Sequence, residues 1–302
     1  MRLPPVMLGK PRTPAATLWR AFFLTLALVA PLAGWAQHKR YRPQPDYVQI
    51  GVPDQEEGRR LLAAFRSMGL VGDYYFEFQL RVMPRRGDER VYQGQLWSTR
   101  GPQGTLTRVV LHDPAGGERR LLVQSGEHPA LWSWQTGDAA PRKLGLAELF
   151  EPLVQTDVTP FDLQMPFLYW GEFAYEGTFK MRGRPSDRFL FYPPAEMGIA
   201  YPALTGVRVS LDSQFHALVE VEQLGEGDRS LKTVSLLELK KAQDQWLVKT
   251  IDVRDATTRN KTRFSVTAAA LGQEFSRALF EPAVLADEVR PPAEARIVRL
   301  AP

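Results

Sequence analysis

The sequence predicts a mainly β fold of the α+β type, built on an antiparallel sheet with a few short helices. Between residues 205 and 268, apolar and polar residues alternate in one run after another, with short polar breaks between the runs. Successive strand residues point to opposite faces, so such runs build a sheet with one dry face and one wet face. Turn-type clusters recur at regular spacing, for example at 101–104 and 225–228, which is typical of consecutive antiparallel hairpins.

Residues 1–36 have the layout of a secretory signal peptide. Basic residues precede an apolar run that ends in the small residues Gly34 and Ala36, the type that a signal peptidase requires. We therefore expect the mature, exported chain to begin at Gln37. An uncleaved membrane anchor is the alternative, although Arg20 interrupts a run that would need about 20 apolar residues to span a bilayer.

Charge and cysteine content exclude several classes of protein. The leader carries four basic residues and no acidic one, which accounts for the formal net charge of +4 and leaves the mature chain neutral. A neutral chain lacks the positive surface with which proteins bind nucleic acids. The chain has no cysteine, so it has neither a disulfide scaffold nor the lipid-modified cysteine of a bacterial lipoprotein.

The remaining chain divides into an extended lead-in at 37–53, a single domain at 54–282 and a loosely held C-terminal tail at 283–302. Asp54, with Glu57 three residues later, predicts a capping box that begins a short amphipathic helix. The apolar side of this helix carries Leu61, Leu62 and Phe65. We expect it to pack against the sheet or to cover its open side.

The strand beginning near residue 74 alternates most regularly and places three aromatic residues on one face. Its apolar positions are Tyr74, Phe76, Phe78, Leu80 and Val82. Further strands are predicted at 90–98, 105–112, 119–125, 130–135, 172–180 and 186–192. Residues 205–268 predict five more strands, of which the second begins at Phe215. A last short helix is expected within 272–280.

The middle of the chain interrupts this rhythm with a segment rich in bulky apolar side chains. Residues 161–170 predict short helical or irregular structure, because Pro160 and Pro166 limit any helix. The segment is a candidate lid, carried by Met165, Phe167 and Leu168. The alternative is that these residues close the core at one end.

The usual signatures of enzymes and metal sites are missing. The four histidines, His38, His112, His128 and His216, are scattered and lack metal-ligand spacing. Motifs of serine hydrolases, P-loop proteins and dinucleotide-binding proteins do not occur. We therefore predict a protein without enzymatic activity, cofactor or metal.

Several short motifs occur in an order that is similar to one known family. They are Gly183-Arg184-Pro185-Ser186-Asp187-Arg188-Phe189-Leu190, Gly206-Val207-Arg208-Val209-Ser210-Leu211-Asp212, Lys232-Thr233-Val234, Trp246-Leu247-Val248, Lys261-Thr262-Arg263-Phe264 and Ala278-Leu279-Phe280-Glu281-Pro282. In this order they resemble the outer-membrane lipoprotein-sorting (LolA-like) family. The resemblance covers residues 73–282.

The resemblance implies an incomplete, strongly curved antiparallel β-barrel lidded by helices. Its concave apolar face would shelter lipid, or the acyl chains of a lipoprotein that crosses the periplasm for sorting to the outer membrane. Each methylene taken out of water contributes about 0.8 kcal/mol, so such a carrier needs only a dry concave surface and a movable cover. The implied partners are inner- and outer-membrane proteins, and we expect the chain to be a monomer.

We expect the lining of this face to come from alternate residues of the first strand and of the C-terminal strands. The predicted lining residues are Tyr74, Phe76, Phe78, Leu80, Val82, Val207, Val209, Val219, Val221, Ile251, Val253, Phe264 and Val266. Plain core packing is the alternative for each, since the inner face of a strand has the same pattern against a helix as against a ligand. The alternative function is a periplasmic lipid or lipoprotein sensor, or scaffold, that regulates a membrane partner.

Overall fold

The computed structural model of the chain describes residues 51–215 and 217–301. The predicted signal peptide and almost all of the lead-in lie outside the described residues, so both stay predictions. None of the described helices is both long and apolar enough to cross a membrane.

The described residues form fourteen strands and several short helices. The strands are β1 (Asp73–Met83), β2 (Arg90–Gly101), β3 (Gly104–His112), β4 (Glu118–Gln124), β5 (Ala130–Gln135), β6 (Arg142–Lys143), β7 (Phe173–Met181), β8 (Arg184–Phe191), β9 (Gly206–Asp212), β10 (Leu218–Gly225), β11 (Arg229–Ala242), β12 (Gln245–Asp255), β13 (Lys261–Gln273) and β14 (Val298–Arg299). The α-helices are α1 (Gln55–Ser67), α2 (Pro160–Gln164) and α3 (Ala195–Ala200). Short 3-10 helices lie at Ala147–Phe150, Pro166–Tyr169, Glu226–Asp228, Arg277–Phe280, Pro282–Val284 and Glu294–Arg296.

All strands belong to one antiparallel sheet with the order β6-β5-β4-β3-β2-β1-β13-β12-β11-β10-β9-β8-β7. The sheet therefore consists of two meanders, β1–β6 and β7–β13, which join where β1 pairs with β13. β6 and β7 stand at opposite ends of this order and do not pair with each other, so the sheet is not closed into a barrel. The predicted mainly β, antiparallel fold is confirmed.

The sheet curves around one large core. The largest buried cluster takes side chains from β1–β5 and also from β7–β12, so both halves of the sheet face the same apolar interior. We call the sheet surface that faces this interior the inner face. One row of directly opposed residues crosses it from β1 to β7: Val82, Thr262, Val253, Val234, Val221, Val209, Phe189 and Tyr175.

Gly94 shows how closely side chains are packed on the inner face. It lies opposite Phe78 on the neighbouring strand. A Cβ at Gly94 would stand 2.3 Å from Cζ of Phe78, well inside van der Waals contact. The glycine is therefore required here because the phenyl ring occupies the space above it.

Helix α1 is attached to the edge strand β7. Its first residue, Gln55, bonds to both backbone groups of Tyr175: Nε2 donates to the carbonyl at 2.9 Å, and Oε1 accepts from the N–H at 2.8 Å. The predicted helix start is correct, since Asp54 caps α1 by accepting from the N–H of Glu56. Glu57 does not complete the predicted capping box; it pairs with Arg60 one turn later.

Two predicted elements are present with different boundaries. Phe215 lies in the turn before β10, not in a strand, and its ring is 55% exposed beneath the guanidinium of Arg184. The short helix expected within 272–280 is the 3-10 helix Arg277–Phe280, and it begins later than predicted because β13 extends to Gln273. In both places the turn or helix boundary is displaced by a few residues.

The C-terminal segment is packed, which contradicts the expected loosely held tail in its described part. Arg108 is fully buried on the opposite, outer face of the sheet, and its guanidinium donates to the carbonyls of Leu279, Val284, Leu285 and Asp287. These four hydrogen bonds from the guanidinium of Arg108 hold residues 279–287 against β3. Further on, β14 pairs with β13.

Candidate functional site

The inner face brings most of the predicted lining residues together. Seven of them lie in the large cluster, namely Phe78, Leu80, Val82, Val207, Val209, Val221 and Val253, and Ile251 and Phe264 pack against it. Tyr74, Phe76 and Val266 belong to a smaller cluster that shares Leu96 and Phe264 with the large one. The rings of Phe78 and Phe264 lie 4.9 Å apart on neighbouring strands.

Val219 does not join the lining residues. The pairing of β10 with β9 shifts between Leu218 and Glu220, which leaves Val219 as the extra residue of a bulge. Leu218 is opposite Leu211 and packs against the large cluster instead. A strict two-residue alternation cannot anticipate such a shift, so the assignment of Val219 to the lining is corrected to Leu218.

The chain itself covers the inner face. We call residues 144–170 the cover segment; it contains α2 and two of the 3-10 helices. All six predicted lid residues pack in or against the large cluster: Leu62, Phe167 and Leu168 are buried in it, and Leu61, Phe65 and Met165 lie against it. In this arrangement the inner face is filled by the protein's own side chains.

A buried polar group attaches the cover segment to the sheet. Asp162 in α2 accepts from Lys232 Nζ at 2.9 Å and from Gln223 Nε2 at 2.7 Å. Thr159 donates its N–H and its hydroxyl to the same carboxylate at 2.8 and 2.9 Å. Lys232 and Gln223 lie directly opposite each other on β11 and β10, in the same alternation as the apolar inner-face residues.

Other polar contacts hold the cover segment on the remaining sides. The Thr262 hydroxyl of β13 donates to Asp157 Oδ2 at 2.9 Å. Beyond the end of β4, the Ser125 hydroxyl donates to the carbonyl of Gln164 at 3.1 Å. Arg66 of α1 donates to the carbonyl of Leu168 at 2.6 Å. The segment is therefore attached by a few localised bonds around an apolar contact area.

A half-open cavity of about 420 Å³ lies beside the cover segment. Its walls come from the β4–β5 turn, from β5 and β6, from the cover segment, and from α3 with the proline before it. The lining residues are Glu127, Pro129, Ala130, Leu131, Lys143, Leu144, Gly145, Leu146, Leu149, Gln164, Pro166, Tyr169, Trp170, Pro194, Glu196 and Met197. Leu131, Leu149 and Met197 are buried. The charged residues Glu127, Lys143 and Glu196 are exposed, so the charges border an apolar interior.

A second, shallower cavity of about 780 Å³ lies at the end of the sheet where β1 begins. It is formed by the loop 67–73, by Thr99 and Arg100 of β2 and by residues 273–277. Arg100 already donates to the carbonyls of Ser67 and Met68. None of the predicted lining residues borders this cavity.

Sequence reasoning missed the residues that border the 420 Å³ cavity from α3 and β5. Met197 lies in α3, a helix that the sequence analysis did not predict, and Pro194 is the residue that precedes it. Gln164 is polar and was not considered as an interior residue. Among the described residues, no group of three or more histidine, aspartate or glutamate side chains could hold a metal ion.

Comparison with solved structures identifies the fold. The chain superposes on a DUF1329 family protein from Desulfovibrio piger with a TM-score of 0.65 at 15% identity, covering 76% of this chain and 98% of that one. A putative outer membrane lipoprotein-sorting protein domain from Vibrio parahaemolyticus gives a TM-score of 0.63 at 15% identity, covering 74% and 94%. A LolA superfamily protein from Nitrosomonas europaea gives 0.55 at 14% identity, covering 74% and 96%.

The chain therefore has a LolA-like fold, as the order of its short motifs indicates. At sequence identities of 14–15%, these comparisons establish the fold and give no conclusion about function. No protein-family profile matches the sequence, and no curated protein sequence matches it either.

Proposed function

We propose that this chain is a periplasmic carrier that binds lipid, or the acyl chains of lipoproteins, on its inner face for sorting to the outer membrane. The leader pattern at residues 1–36 supports export, and the balanced charge of the remaining chain fits an apolar ligand better than nucleic acid. In this proposal the protein acts by binding and has no catalytic residue. It works as a monomer that meets inner- and outer-membrane partner proteins.

One observation carries the proposal: a continuous apolar face spans the sheet and is covered by a separate segment that ends at a half-open apolar cavity. A core that served stability alone would not need a cover attached through buried charges, since well-packed apolar residues in place of a buried ion pair are often neutral or stabilising. The Asp162–Lys232 pair is such a buried pair between cover and sheet. We interpret it as a bond that can open.

Binding would then replace protein side chains by ligand. An acyl chain enters at the 420 Å³ cavity, the cover segment moves outward, and the chain takes its place against residues such as Phe78 and Val209. A chain of about fifteen methylenes gains about 12 kcal/mol on leaving water. This gain is set against the loss of the polar bonds and of the apolar contacts between cover and sheet.

Locking the cover tests the proposal directly, because the chain has no cysteine of its own. Thr262 Oγ1 lies 2.9 Å from Asp157 Oδ2 and 3.1 Å from the backbone nitrogen of Asp157, so the two residues are in direct contact. We therefore choose Asp157→Cys with Thr262→Cys as the pair to join the cover segment to β13, with formation of the disulfide checked by mass spectrometry. The matched control joins two strands without touching the cover: Ser98→Cys with Thr107→Cys, whose hydroxyls are 3.0 Å apart across β2 and β3.

We expect the locked protein to lose binding of a fluorescent acyl probe when oxidised and to regain it on reduction, while the control binds in both states. Native mass spectrometry of the unlocked protein purified from a periplasmic fraction should show bound acyl species. Equal probe binding by the locked and control proteins would overturn the moving cover. A chain that carries no lipid and co-purifies with a membrane regulator would favour the alternative, a sensor or scaffold.

Phe78 supplies a second test. Its side chain is almost fully buried among the protein's own residues in this structure, so Phe78→Asp has to be judged beside an exposed control, Phe215→Asp. The carrier proposal requires a folded Phe78→Asp protein that no longer retains lipid. If that variant unfolds outright, Phe78 is a core residue and its assignment to the lining fails.

A further inference from the structure

One end of the sheet carries an excess of positive charge that the charge balance of the whole chain conceals. Residues 81–90 form the end of β1, the turn to β2 and the first residue of β2, and residues 252–263 form the end of β12, the turn to β13 and the start of β13. Together these two ranges, which we call the basic end, contain eight basic and four acidic residues. Because residues 37–302 are formally neutral, the remainder of that range has an equal excess of acidic residues.

The two turns of the basic end are neighbours in space. β1 pairs with both β2 and β13, so that Val82 lies opposite Arg90 on one side and opposite Thr262 on the other. Asn260 Oδ1 in the β12–β13 turn accepts from the backbone N–H of Arg85 in the β1–β2 turn at 3.1 Å. The basic residues of both turns therefore belong to one continuous surface.

Five arginines of this surface have guanidinium groups that bond to no described residue. They are Arg85, Arg86, Arg90, Arg254 and Arg259, and all five are exposed. Within residues 51–215 and 217–301, no carboxylate forms an ion pair with these groups, and none of them donates a hydrogen bond. Exposed arginines elsewhere in the described chain often lie against a carboxylate, as the α1 and β6 arginines do at 2.6 and 2.7 Å. The basic end differs from these surfaces in its unpaired charge.

The carboxylates of the basic end do not neutralise these arginines. Asp252 pairs with Arg263 at 2.7 Å, and Glu89 lies 3.5 Å from an arginine of β1. The carboxylate of Asp255 accepts from backbone N–H groups of its own turn. Asp88 is the fourth acidic residue and is exposed. The positive charge of the five arginines is therefore only partly balanced.

The lack of contacts around the guanidinium groups indicates the kind of partner. A site for one small anion holds its donors in place by packing and hydrogen bonds before the anion arrives. Side chains without such contacts lose rotamer freedom when they close around a single anion, whereas attraction to an extended charged surface requires no fixed positions. The basic end therefore fits an extended anionic surface better than a small anion.

The position of the basic end relative to the cover segment favours a membrane as that surface. Asp157 of the cover segment accepts from the hydroxyls of Thr258 and Thr262, at 3.0 and 2.9 Å, and both threonines belong to the basic end. A bilayer bound here lies next to a point at which the cover is attached, where a carrier of acyl chains would exchange its cargo. This choice of partner rests on the proposed function, whereas the unpaired positive charge does not.

We infer that the basic end docks the protein on a bilayer that contains anionic phospholipids. The five arginines lie among the lipid phosphates, and the acidic remainder of the chain is repelled by the bilayer, which orients the molecule. The large apolar side chains of the basic end are not exposed. Binding is therefore electrostatic, without insertion into the hydrocarbon, and sensitive to salt.

The test measures sedimentation of the full mature chain with vesicles of phosphatidylcholine, with or without phosphatidylglycerol. We expect binding to the anionic vesicles alone at about 0.1 M salt, and its loss at about 1 M salt, where the screening length falls to about 3 Å. The variant Arg85→Gln/Arg86→Gln/Arg259→Gln removes three of the unpaired charges. Each basic residue near an anionic bilayer changes the partition coefficient about fivefold, so this variant should bind about 100-fold more weakly.

A matched control makes the same change of net charge outside the basic end. Arg59→Gln/Arg60→Gln/Arg290→Gln replaces three exposed arginines and should bind within about fivefold of the wild type. The three arginines of the test variant make no side-chain bond within the described part of the chain, so this variant should keep the Tm of the wild type. Equal vesicle binding by the two triple variants would overturn the inference, as would equal binding of the wild type to neutral and anionic vesicles.

Two competitors distinguish the membrane from other anionic partners. Inorganic phosphate should release the protein from the vesicles no better than sodium chloride of equal ionic strength, and stronger release would indicate a small-anion site instead. Polyglutamate that displaces the vesicles at equal concentration of negative charge would indicate an acidic protein and would also overturn the inference. The vesicle test uses no acyl probe, so its failure leaves the carrier function standing, and failure of acyl-probe binding leaves the measured docking on vesicles unchanged.

Discussion

Replacing Lys232 by methionine should weaken the attachment of the cover segment. Methionine reproduces the lysine side chain as far as Cε and removes the ammonium group that lies 2.9 Å from Asp162 Oδ2. The carboxylate of Asp162 then stays buried with donors from Gln223 and Thr159 alone. Removal of one partner from a buried ion pair costs about 3–5 kcal/mol.

We expect the lower end of this range, because Gln223 and Thr159 still stabilise the negative charge. A loss of about 3 kcal/mol corresponds to a decrease in Tm of about 6–12 °C for a domain of this size. If the cover opens before the sheet unfolds, the same loss appears first as faster amide hydrogen exchange in residues 157–170. It should also increase the rate at which an acyl probe binds.

The measurements are urea unfolding followed by circular dichroism and native-state hydrogen exchange with peptide-level resolution. Lys241→Met is the matched control, because the Lys241–Asp244 pair is equally short at 3.0 Å but its side chains are 53% and 97% exposed. Exposed pairs of this kind contribute little to stability, so the control should behave as the wild type. Equal protection of residues 157–170 in Lys232→Met and in the control would refute the role of this bond.

Three further predictions concern the sheet and its edges. Gly94→Ala should destabilise the fold by about 1–3 kcal/mol, because its Cβ would overlap the Phe78 ring, whereas Gly171→Ala, with no atom near its Cβ, should have little effect in the same urea titration. Arg108→Met should release residues 279–287 and make them sensitive to limited proteolysis, because the guanidinium of Arg108 holds their carbonyls. The control Arg277→Met, at an exposed position, should stay resistant to the protease. Resistance of both variants would contradict the anchoring of this segment by Arg108. Burial raises the pKa of the Tyr175 hydroxyl to about 12. The tyrosine of the unfolded chain keeps its ordinary pKa and ionises first, so the stability of the fold should fall between about pH 10 and pH 12. In Tyr175→Phe this part of the pH dependence of the urea midpoint should be absent, and an unchanged pH profile would exclude a contribution from Tyr175.

The strands were predictable because alternation is a local property of the sequence. β1 follows the predicted alternation from Phe78 to Val82, where buried residues alternate with less buried ones. Bulges are not local in this sense: the extra residue at Val219 is defined only by how β10 meets β9. The anchored C-terminal segment was missed for a similar reason, because the bonds of Arg108 join residues far apart in the chain.

The candidate site was predictable in its apolar part and not in its polar part. An apolar position on a strand indicates the inner face whether a ligand or the chain itself covers it, so Phe78 and Val209 were identified. Lys232, Gln223 and Asp162 are ordinary surface residue types, and only the tertiary fold places them inside. Gln164 is also polar, and only the tertiary fold places it beside the cavity.

The junction of β1 with β13 has a consequence for biosynthesis. Residues 73 and 273 are neighbours in the sheet, yet the ribosome releases one long before the other. Until β13 arrives, the first meander exposes one edge of β1, and unpaired edges of this kind promote association between chains. Non-local pairing also slows folding, so the nascent polypeptide would depend on cellular factors that shield its edge until the last strands have been made.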